Sequence, residues 1–441
     1  MLFSKSDLES IKNKISLSSE IEKKIPLIKK GKENWCCCLF HQEKTPSMKI
    51  NDDLMSFYCF GCGAKGDIFT IYTDLYNYTF NDAVRELALK VGIHLKETNY
   101  QKIEEDNNTK KILTFANEWY MQNLKLKDAF NCLEYLKKRN ISESTINKFN
   151  LGFSFNSKTT LLDYLKSKSF NEKDIIKSNI VKYDKNNNLK DFFYKRLIFP
   201  IFDERSNVVG FGGRSLDDTN PKYINSSESN FFQKRYLLYN LSNAKIVARK
   251  KSNLLICEGY MDVISLYEKG IKSVVAPLGT ALTEQQLNLA WKYCSKPTIM
   301  FDGDNAGLRA SYKTALMSLK YISADKLLQF IVLPPNEDPD SFVNKNSINE
   351  LVNILKQPIP LVNYIFHQAS LAHSINNADD KIIFDKYIDE IVKMIKDSRI
   401  KYFYKNEFKS FFFNKIKSKN KKPYTIKIDY NLNKTSLFQK Q

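Results

Sequence analysis

Apolar and polar positions alternate most regularly between residues 253 and 342, where short apolar runs are separated by helical repeats. The apolar runs occupy residues 254–257, 273–276, 298–301 and 327–333. Between them, two segments place apolar residues on one helix face: Leu287, Trp291 and Cys294, then Leu308, Tyr312, Ala315 and Leu319. Short buried strands that alternate with helices predict a parallel sheet with right-handed crossovers.

Acidic residues follow three of these runs within a few positions. Because functional groups gather at the carboxyl ends of parallel strands, we expect five of them to converge on one edge of the sheet: Glu258, Asp302, Asp304, Asp338 and Asp340. Oxygen ligands of this kind suit Mg²⁺ or Mn²⁺, and two such ions could hold the attacking and leaving oxygens of a phosphoryl transfer. Singly, each residue would be an ordinary turn or N-cap residue. Together, the three clusters predict a metal site.

Three segments in this stretch resemble the Toprim motifs of bacterial DNA primases: Glu258-Gly259-Tyr260-Met261-Asp262, Asp302-Gly303-Asp304 and Glu337-Asp338-Pro339-Asp340. Toprim modules also occur in topoisomerases and some nucleases, so these motifs alone do not decide the activity. The resemblance implies that Glu258, Asp302 and Asp304 serve catalysis. Glu258 would be either a metal ligand or the general base for the primer hydroxyl.

A second candidate metal site lies near the N-terminus, where Cys38-Leu39-Phe40-His41 and Cys59-Phe60-Gly61-Cys62 form two pairs separated by seventeen residues. Cys38, His41, Cys59 and Cys62 would complete the four-ligand shell of one structural Zn²⁺. Cys36 and Cys37 leave the register open, although the two-residue spacing to His41 favours Cys38. Free buried thiols beside a chance histidine are the alternative.

The same segment resembles the zinc-binding domain of these primases over residues 41–47, 58–63 and 66–67, with Leu39 where the family usually has proline. The resemblance implies that the module helps to select the template trinucleotide at which a primer begins. Three aromatic and three basic residues nearby could form a face for single-stranded DNA: Phe57, Tyr58, Phe60, Lys44, Lys49 and Lys65. Alternatively, the aromatic residues pack a small core around the zinc.

Residues 196–201 and 208–214 predict two strands joined by a turn at 203–207. Their order, followed by the loop Pro221-Lys222-Tyr223, resembles the basic half of the primase core. By that resemblance, five residues contact template or nucleoside triphosphate: Arg196, Arg214, Lys222, Tyr223 and Lys234.

The net charge and the composition indicate the kind of partner and the cellular compartment. The formal net charge of +19 indicates a polyanionic partner such as nucleic acid, although a genomic bias toward lysine could contribute. No signal pattern or apolar run of membrane length is present, so a cytoplasmic protein without membrane contact is expected. Five of the eight cysteines lie within residues 36–62, which favours a metal over disulfides.

These patterns predict an α+β and α/β multidomain protein with a zinc-ribbon-like domain, a Toprim-type parallel sheet and a C-terminal helical subdomain. The expected units are a zinc-binding DNA-recognition domain (1–95), a flexible polar linker (96–110), the basic part of the RNA polymerase core (111–251), the Toprim metal-binding subdomain (252–342), a helical subdomain (343–420) and a basic tail (421–441). Residues 401–441 hold eleven lysines against two acidic residues, a net charge of +9, and they either contact DNA or form a solvated tail. Little room remains for the helicase-binding domain usual in the family, so contact with a replicative helicase is doubtful.

The predicted function is that of a DNA primase, a monomeric nucleotidyltransferase that makes short RNA primers from ribonucleoside triphosphates on single-stranded DNA and holds the primer–DNA hybrid. A Toprim topoisomerase or nuclease is one alternative, and the preceding zinc module argues against it. A zinc-dependent single-stranded-DNA-binding protein is another, and the intact acidic clusters argue against it. A primase–helicase fusion within this chain is excluded because no Gly-x-x-x-x-Gly-Lys-Ser/Thr loop is present.

Overall fold

The computed structural model describes residues 3, 5–31, 33–76, 78–93, 95, 100–155, 159–217, 219–229, 232–279 and 281–418. Four clusters of buried apolar residues hold these segments together, one of them in the N-terminal module and three in the remainder. Within the described ranges, every helix is too short or too polar to span a lipid bilayer.

The N-terminal module is a five-stranded antiparallel sheet in the order β1-β2-β3-β4-β5 with helices at both ends of its sequence. Its elements are α1 (Lys5–Lys14), α2 (Leu17–Glu22), β1 (Ile28–Lys30), β2 (Glu33–Cys36), β3 (Met48–Asn51), β4 (Ser56–Cys59), β5 (Lys65–Gly66), α3 (Ile68–Asp74) and α4 (Phe80–Lys90). Met48 and Ile50 alternate inward along β3, and Asp67 caps α3 by accepting a hydrogen bond from the Thr70 amide. The expected zinc-ribbon-like unit is confirmed.

The middle of the chain builds an antiparallel sheet in the order β11-β10-β9-β6 that packs against a long helix. Its elements are α5 (Tyr100–Leu124), a 3₁₀ turn (Lys127–Ala129), α6 (Phe130–Lys138), α7 (Glu143–Lys148), β6 (Gly152–Phe153), α8 (Leu161–Ser167), α9 (Glu172–Lys177), β7 (Val181–Tyr183), β8 (Leu189–Asp191), β9 (Arg196–Phe202), β10 (Val208–Ser215), β11 (Tyr223–Asn225), a 3₁₀ turn (Lys234–Tyr236) and α10 (Leu241–Lys251). The strand pair expected at 196–201 and 208–214 is therefore present.

The predicted flexible linker at 96–110 is wrong for its larger part, because α5 begins at Tyr100. Residues 96–99 lie outside the described residues. Residues 100–124 contain neither glycine nor proline, and Ile112, Ala116 and Tyr120 bury the second half of the helix. A helix anchored in this way extends through polar residues at little cost, since adding a residue to an existing helix is far easier than starting one.

The next module is a mixed sheet in the order β13-β12-β14-β15-β16, of which the first four strands are parallel, as predicted. Its elements are β12 (Leu255–Ile256), α11 (Tyr260–Glu268), β13 (Val274–Val275), α12 (Glu284–Trp291), β14 (Thr298–Ile299), α13 (Asn305–Ser318), β15 (Gln329–Phe330), α14 (Pro339–Lys345), α15 (Ile348–Leu355) and β16 (Ile359–Pro360). The Toprim subdomain was expected to end at residue 342. That boundary would cut through α14 and would exclude β16, although β16 pairs with β15 in the same sheet. The antiparallel strand β16 covers an edge of the sheet that would otherwise present unpaired backbone groups.

Three helices follow this sheet: α16 (Leu361–Ala372), α17 (Ala378–Lys393) and α18 (Ser398–Ser418). They pack on it through Tyr364, whose ring stacks on Phe330 with centroids 4.1 Å apart, and through a buried cluster around Phe384 and Phe408. The predicted helical subdomain is present, whereas the basic tail at 421–441 lies outside the described residues.

Candidate active site and zinc centre

The N-terminal sheet brings Cys38, His41, Cys59 and Cys62 together, with all four ligand atoms within 4.8 Å of one another. The Sγ atoms of Cys38 and Cys62 are 3.6 Å apart, and Sγ of Cys59 lies 3.8 Å from Nδ1 of His41. Tetrahedral zinc with Zn–S bonds of about 2.3 Å requires separations of this size. The donor set therefore fits a structural zinc ion, and it contains Cys38 rather than Cys36 or Cys37.

Glu43 orients this group, although the sequence reasoning did not single it out. Its Oε2 lies 3.1 Å from Nε2 of His41, so that Nδ1 faces Cys59. Its Oε1 accepts hydrogen bonds from the backbone amides of Cys38 (2.6 Å) and Ser47 (3.2 Å). Hydrogen bonds from the Cys38 and Cys62 thiols lower the pKa of Cys59, which favours the thiolate form that binds metal. A carboxylate that holds a ligating histidine in place is common in zinc sites.

The second candidate site lies where the parallel strands end. Glu258 follows β12, Asp302 follows β14, and Asp304 and Asp338 are the N-caps of α13 and α14. Oε1 of Glu258 accepts a hydrogen bond from the Asp302 amide at 3.1 Å. Asp304 and Asp338 each cap their helix through Oδ1, by accepting from Gly307 N at 2.7 Å and Ser341 N at 2.6 Å. Each cap therefore leaves its second carboxylate oxygen without a hydrogen bond among the described residues.

The pKa of Asp302 is strongly perturbed. Burial, together with the charges of Glu258, Asp338 and Asp304, raises its pKa from 3.8 to about 7. Burial also raises the pKa of Glu258. Oδ1 of Asp302 is buried without a hydrogen-bond partner in the described part of the chain. A carboxylate oxygen without a hydrogen-bond partner, surrounded by other carboxylates, is a suitable ligand for a hard divalent cation.

The carboxylates are nevertheless spread more widely than the zinc ligands. Among the described residues, only the Cys/His group has three or more ligand atoms all within 4.8 Å of one another. Gly303 allows the loop after β14 to pass close to the next strand, since a Cβ there would lie 2.1 Å from the carbonyl oxygen of Pro334. The backbone therefore fixes the loop that carries Asp302 and Asp304.

Asp340 differs from the other predicted site residues, because its carboxylate is engaged within the protein. Oδ2 forms an ion pair with Arg139, which ends α6, and Oδ1 accepts hydrogen bonds from Ser265 Oγ and Asn344 Nδ2. Asp262 is buried nearby, and burial followed by repulsion from Asp302 raises its pKa well above 3.8. Asp262 is the last residue of the first Toprim motif. The local sequence around Arg139 does not indicate its role, because its partner Asp340 lies about two hundred residues away in the chain.

Arg139 connects the acidic cluster to a group of stacked cations and aromatic rings. Its guanidinium lies 4.9 Å from the ring centre of Tyr135, and that of Arg214 lies 4.5 Å from the same ring. Arg214 also donates a hydrogen bond to the Tyr223 hydroxyl. Positive charge is thus held beside the acidic residues by contacts between separate modules.

The five predicted template or nucleotide contacts fall into two groups. Arg196 and Arg214 are buried, and Arg196 donates to the carbonyl oxygens of Pro221 (2.9 Å) and Lys222 (3.1 Å), which fixes the loop before β11. The side chain of Lys222 is exposed on that loop, Tyr223 is 36% exposed at the start of β11, and Lys234 is half-buried. The loop rather than the buried arginines is therefore accessible to a ligand.

Family models match three parts of the chain in the order in which these modules occur. Residues 3–103 match the CHC2 zinc finger, residues 119–245 the N-terminal domain of the DNA primase catalytic core, and residues 255–343 a Toprim-like model. The DNA primase of Rickettsia prowazekii is 34% identical over 423 residues, which cover 95% of this chain and 70% of the relative. The DNA primase of Clostridium acetobutylicum is 33% identical over 390 residues, covering 88% and 64%.

Solved primase structures share the fold. The zinc-binding and RNA polymerase domains of the Aquifex aeolicus primase superpose with a TM-score of 0.62 at 29% identity, covering 92% of this chain and 97% of that one. The DnaG primase catalytic domain bound to single-stranded DNA gives a TM-score of 0.63 at 28% identity, covering 70% and 99%. Sequence relatives, module order and site geometry agree. The chain belongs to the bacterial DNA primase family, whose activity is the synthesis of RNA primers.

Proposed function

We propose that the acidic cluster catalyses ribonucleotidyl transfer, in which the 3′-hydroxyl of the growing RNA attacks the α-phosphate of a ribonucleoside triphosphate and pyrophosphate leaves. The observation that carries this proposal is Asp302, whose buried Oδ1 has no hydrogen-bond partner among the described residues and whose pKa is raised to about 7. Phosphoryl transfer depends mainly on positioning and on neutralising charge, so carboxylates that hold divalent cations suit this chemistry.

Glu258, Asp302, Asp304 and Asp338 would hold one or two divalent cations, Mg²⁺ or Mn²⁺. When bound, these ions neutralise the phosphate charge and hold the attacking and leaving oxygens. Asp304 and Asp338 offer the oxygens that helix capping leaves over. Glu258, with its pKa raised by burial, is either a ligand or the base that accepts the proton of the 3′-hydroxyl. Asp340, which was predicted to bind the cation, instead orients Arg139 through their ion pair.

We further propose that single-stranded DNA and the incoming triphosphate bind beside Lys222 and Tyr223, which are exposed, with Arg139 and Arg214 behind them. The net charge of +19 favours a polyanionic ligand. One solved relative carries single-stranded DNA on its catalytic domain. The zinc module would help to choose the start site, and the primer–DNA hybrid would remain on the core. We place this activity in the bacterial cytoplasm, with a monomeric chain and with the replicative helicase as a candidate partner.

The decisive experiment measures incorporation of labelled ribonucleotides on single-stranded DNA templates with Mg²⁺ or Mn²⁺. The wild type should make RNA oligomers, and Asp302→Asn, which keeps the side-chain shape, should lose at least about 10²–10³-fold in rate. Asp325→Asn, a change of an exposed aspartate in the same module, should keep full activity. Binding of Mn²⁺, followed directly by its paramagnetic resonance signal, should weaken in Asp302→Asn only. Equal synthesis by the wild type and Asp302→Asn would remove Asp302 from the mechanism, and tight DNA binding without synthesis would favour a binding protein.

A further inference from the structure

Three aromatic side chains form a ladder at one end of the sheet made by β6, β9, β10 and β11. The rings of Phe153 and Phe155 lie 6.0 Å apart with an interplanar angle of 10°, and those of Phe155 and Tyr194 lie 6.3 Å apart, also at 10°. Exposure increases along the ladder: Phe153 is 8% exposed, Phe155 is partly buried and Tyr194 is 44% exposed. The stack therefore ends in a ring that is open to solvent.

The backbone holds this ladder in place. The amide of Ser154 donates to the Arg196 carbonyl at 3.0 Å, and the amide of Lys195 donates to the Ser154 carbonyl at 2.7 Å. Nδ2 of the buried Asn123 donates to the Phe155 carbonyl at 2.8 Å. Lys195 adopts a left-handed conformation with φ of 58°, which a residue with a side chain keeps only where its surroundings impose it. A platform fixed before binding loses little entropy when a ligand stacks on it.

The strand register places the ladder near the proposed template-binding loop. Phe153 pairs with Leu197, Leu197 with Arg214, and Arg214 with Tyr223, so all four lie at the same end of the sheet. Three strand spacings of about 4.8 Å separate β6 from β11, which gives about 14 Å. The ammonium group of Lys195 lies 5.7 Å from the ring centre of Tyr194, so a positive charge lies beside the exposed ring.

We propose that Tyr194 is a stacking platform for an unpaired base of single-stranded nucleic acid and that Lys195 contacts the adjoining phosphate. An exposed flat ring beside a cation is the arrangement by which proteins bind single strands without sequence preference. This inference rests on the proposed function, because it requires a nucleic acid strand on the catalytic core. It adds a base-stacking site to a core whose other proposed contacts are mainly cationic.

The test compares the binding of a thymidine oligonucleotide and of an abasic oligonucleotide of the same length to the full chain, by fluorescence anisotropy. Tyr194→Leu should weaken binding of the thymidine strand about 5- to 150-fold and leave binding of the abasic strand unchanged. Tyr194→Phe should bind both strands as the wild type does, because the ring and not the hydroxyl stacks. Tyr183→Leu, a change of a 54% exposed tyrosine on β7, is the matched control and should have no effect.

Two further readouts separate stacking from general electrostatics. A 2-aminopurine base in the strand should be quenched on binding to the wild type but not to Tyr194→Leu. Lys195→Ala should weaken the binding of both strands. It should also reduce the slope of log K against log salt concentration by about 0.7 in magnitude, the value for one phosphate contact.

Three results would overturn the platform or the binding of template. Equal affinity of the wild type for thymidine and abasic strands would overturn the platform, and so would loss of binding in Tyr194→Phe. If the wild type still makes primers in either case, the proposed function remains intact. Failure of the wild type to bind any single strand would overturn both the platform and the template-binding part of the proposed function.

Discussion

Replacing Asp302 with asparagine is expected to stabilise the protein without added divalent cations while lowering the rate of primer synthesis at least about 10²–10³-fold. In the unfolded chain the Asp302 carboxyl ionises near its ordinary pKa of 3.8, whereas burial and the neighbouring carboxylates raise the pKa in the folded protein to about 7. Between these values the folded state binds a proton that the unfolded state has lost. The stability of the wild type therefore falls as the pH rises through this window, and the loss is complete above pH 7.

The magnitude follows from the difference of about 3 pH units. At about 1.36 kcal/mol for each unit, the ionised carboxylate would cost about 4 kcal/mol. Because the side chain is partly exposed, solvent screening reduces this cost to about 2 kcal/mol. Asparagine carries no charge, so Asp302→Asn should be about 2 kcal/mol more stable than the wild type at pH 8 and nearly equal to it at pH 4.

Thermal unfolding at the two pH values, without added Mg²⁺ or Mn²⁺, measures this difference. For a cooperative unit of about 150–250 residues, an increase in Tm of roughly 4–8 °C at pH 8 corresponds to about 2 kcal/mol. Added Mn²⁺ should raise the Tm of the wild type more than that of Asp302→Asn. Asp325→Asn, which changes an exposed carboxylate, should stay within about 0.5 kcal/mol of the wild type. A variant that is less stable than the wild type at pH 8, or a gap that does not shrink at pH 4, would refute the reasoning.

Three further changes test other parts of the site. Asp340→Ala should lower the free energy of unfolding by about 1–3 kcal/mol in urea titrations, because it removes the partner of the partly exposed Arg139, whereas the double change with Arg139→Met should cost less than the sum of the two single changes. Glu43→Gln should weaken zinc binding about 10- to 100-fold in a chelator competition, since the carboxylate orients the ligating histidine, and unchanged affinity would contradict that role. Gly303→Ala should reduce primer synthesis and Tm together, because its Cβ would meet the Pro334 carbonyl oxygen at 2.1 Å, and a fully active variant would show that the loop can shift.

Several functional contacts carry no local pattern in the sequence. Arg196 and Arg214 follow the order expected of template contacts, yet the fold buries both, and Arg196 holds a loop through the carbonyl oxygens of Pro221 and Lys222. Asp340 is spaced like a metal ligand but pairs with Arg139. The sign of a charge and its position after a strand do not specify its partner, because that depends on how separate elements pack.

The sequence alone determined the features that arise from short-range spacing and from topology. The Cys-x-x-His and Cys-x-x-Cys pairs specify a four-ligand group because each pair lies on one turn, and alternating strands and helices specify a parallel sheet with acidic residues at its carboxyl edge. Only the tertiary structure decided that α6 brings Arg139 to Asp340 and that Phe153, Phe155 and Tyr194 align their rings. These contacts join residues from different elements, and their geometry is set by the packing of the whole core rather than by any periodicity along the chain.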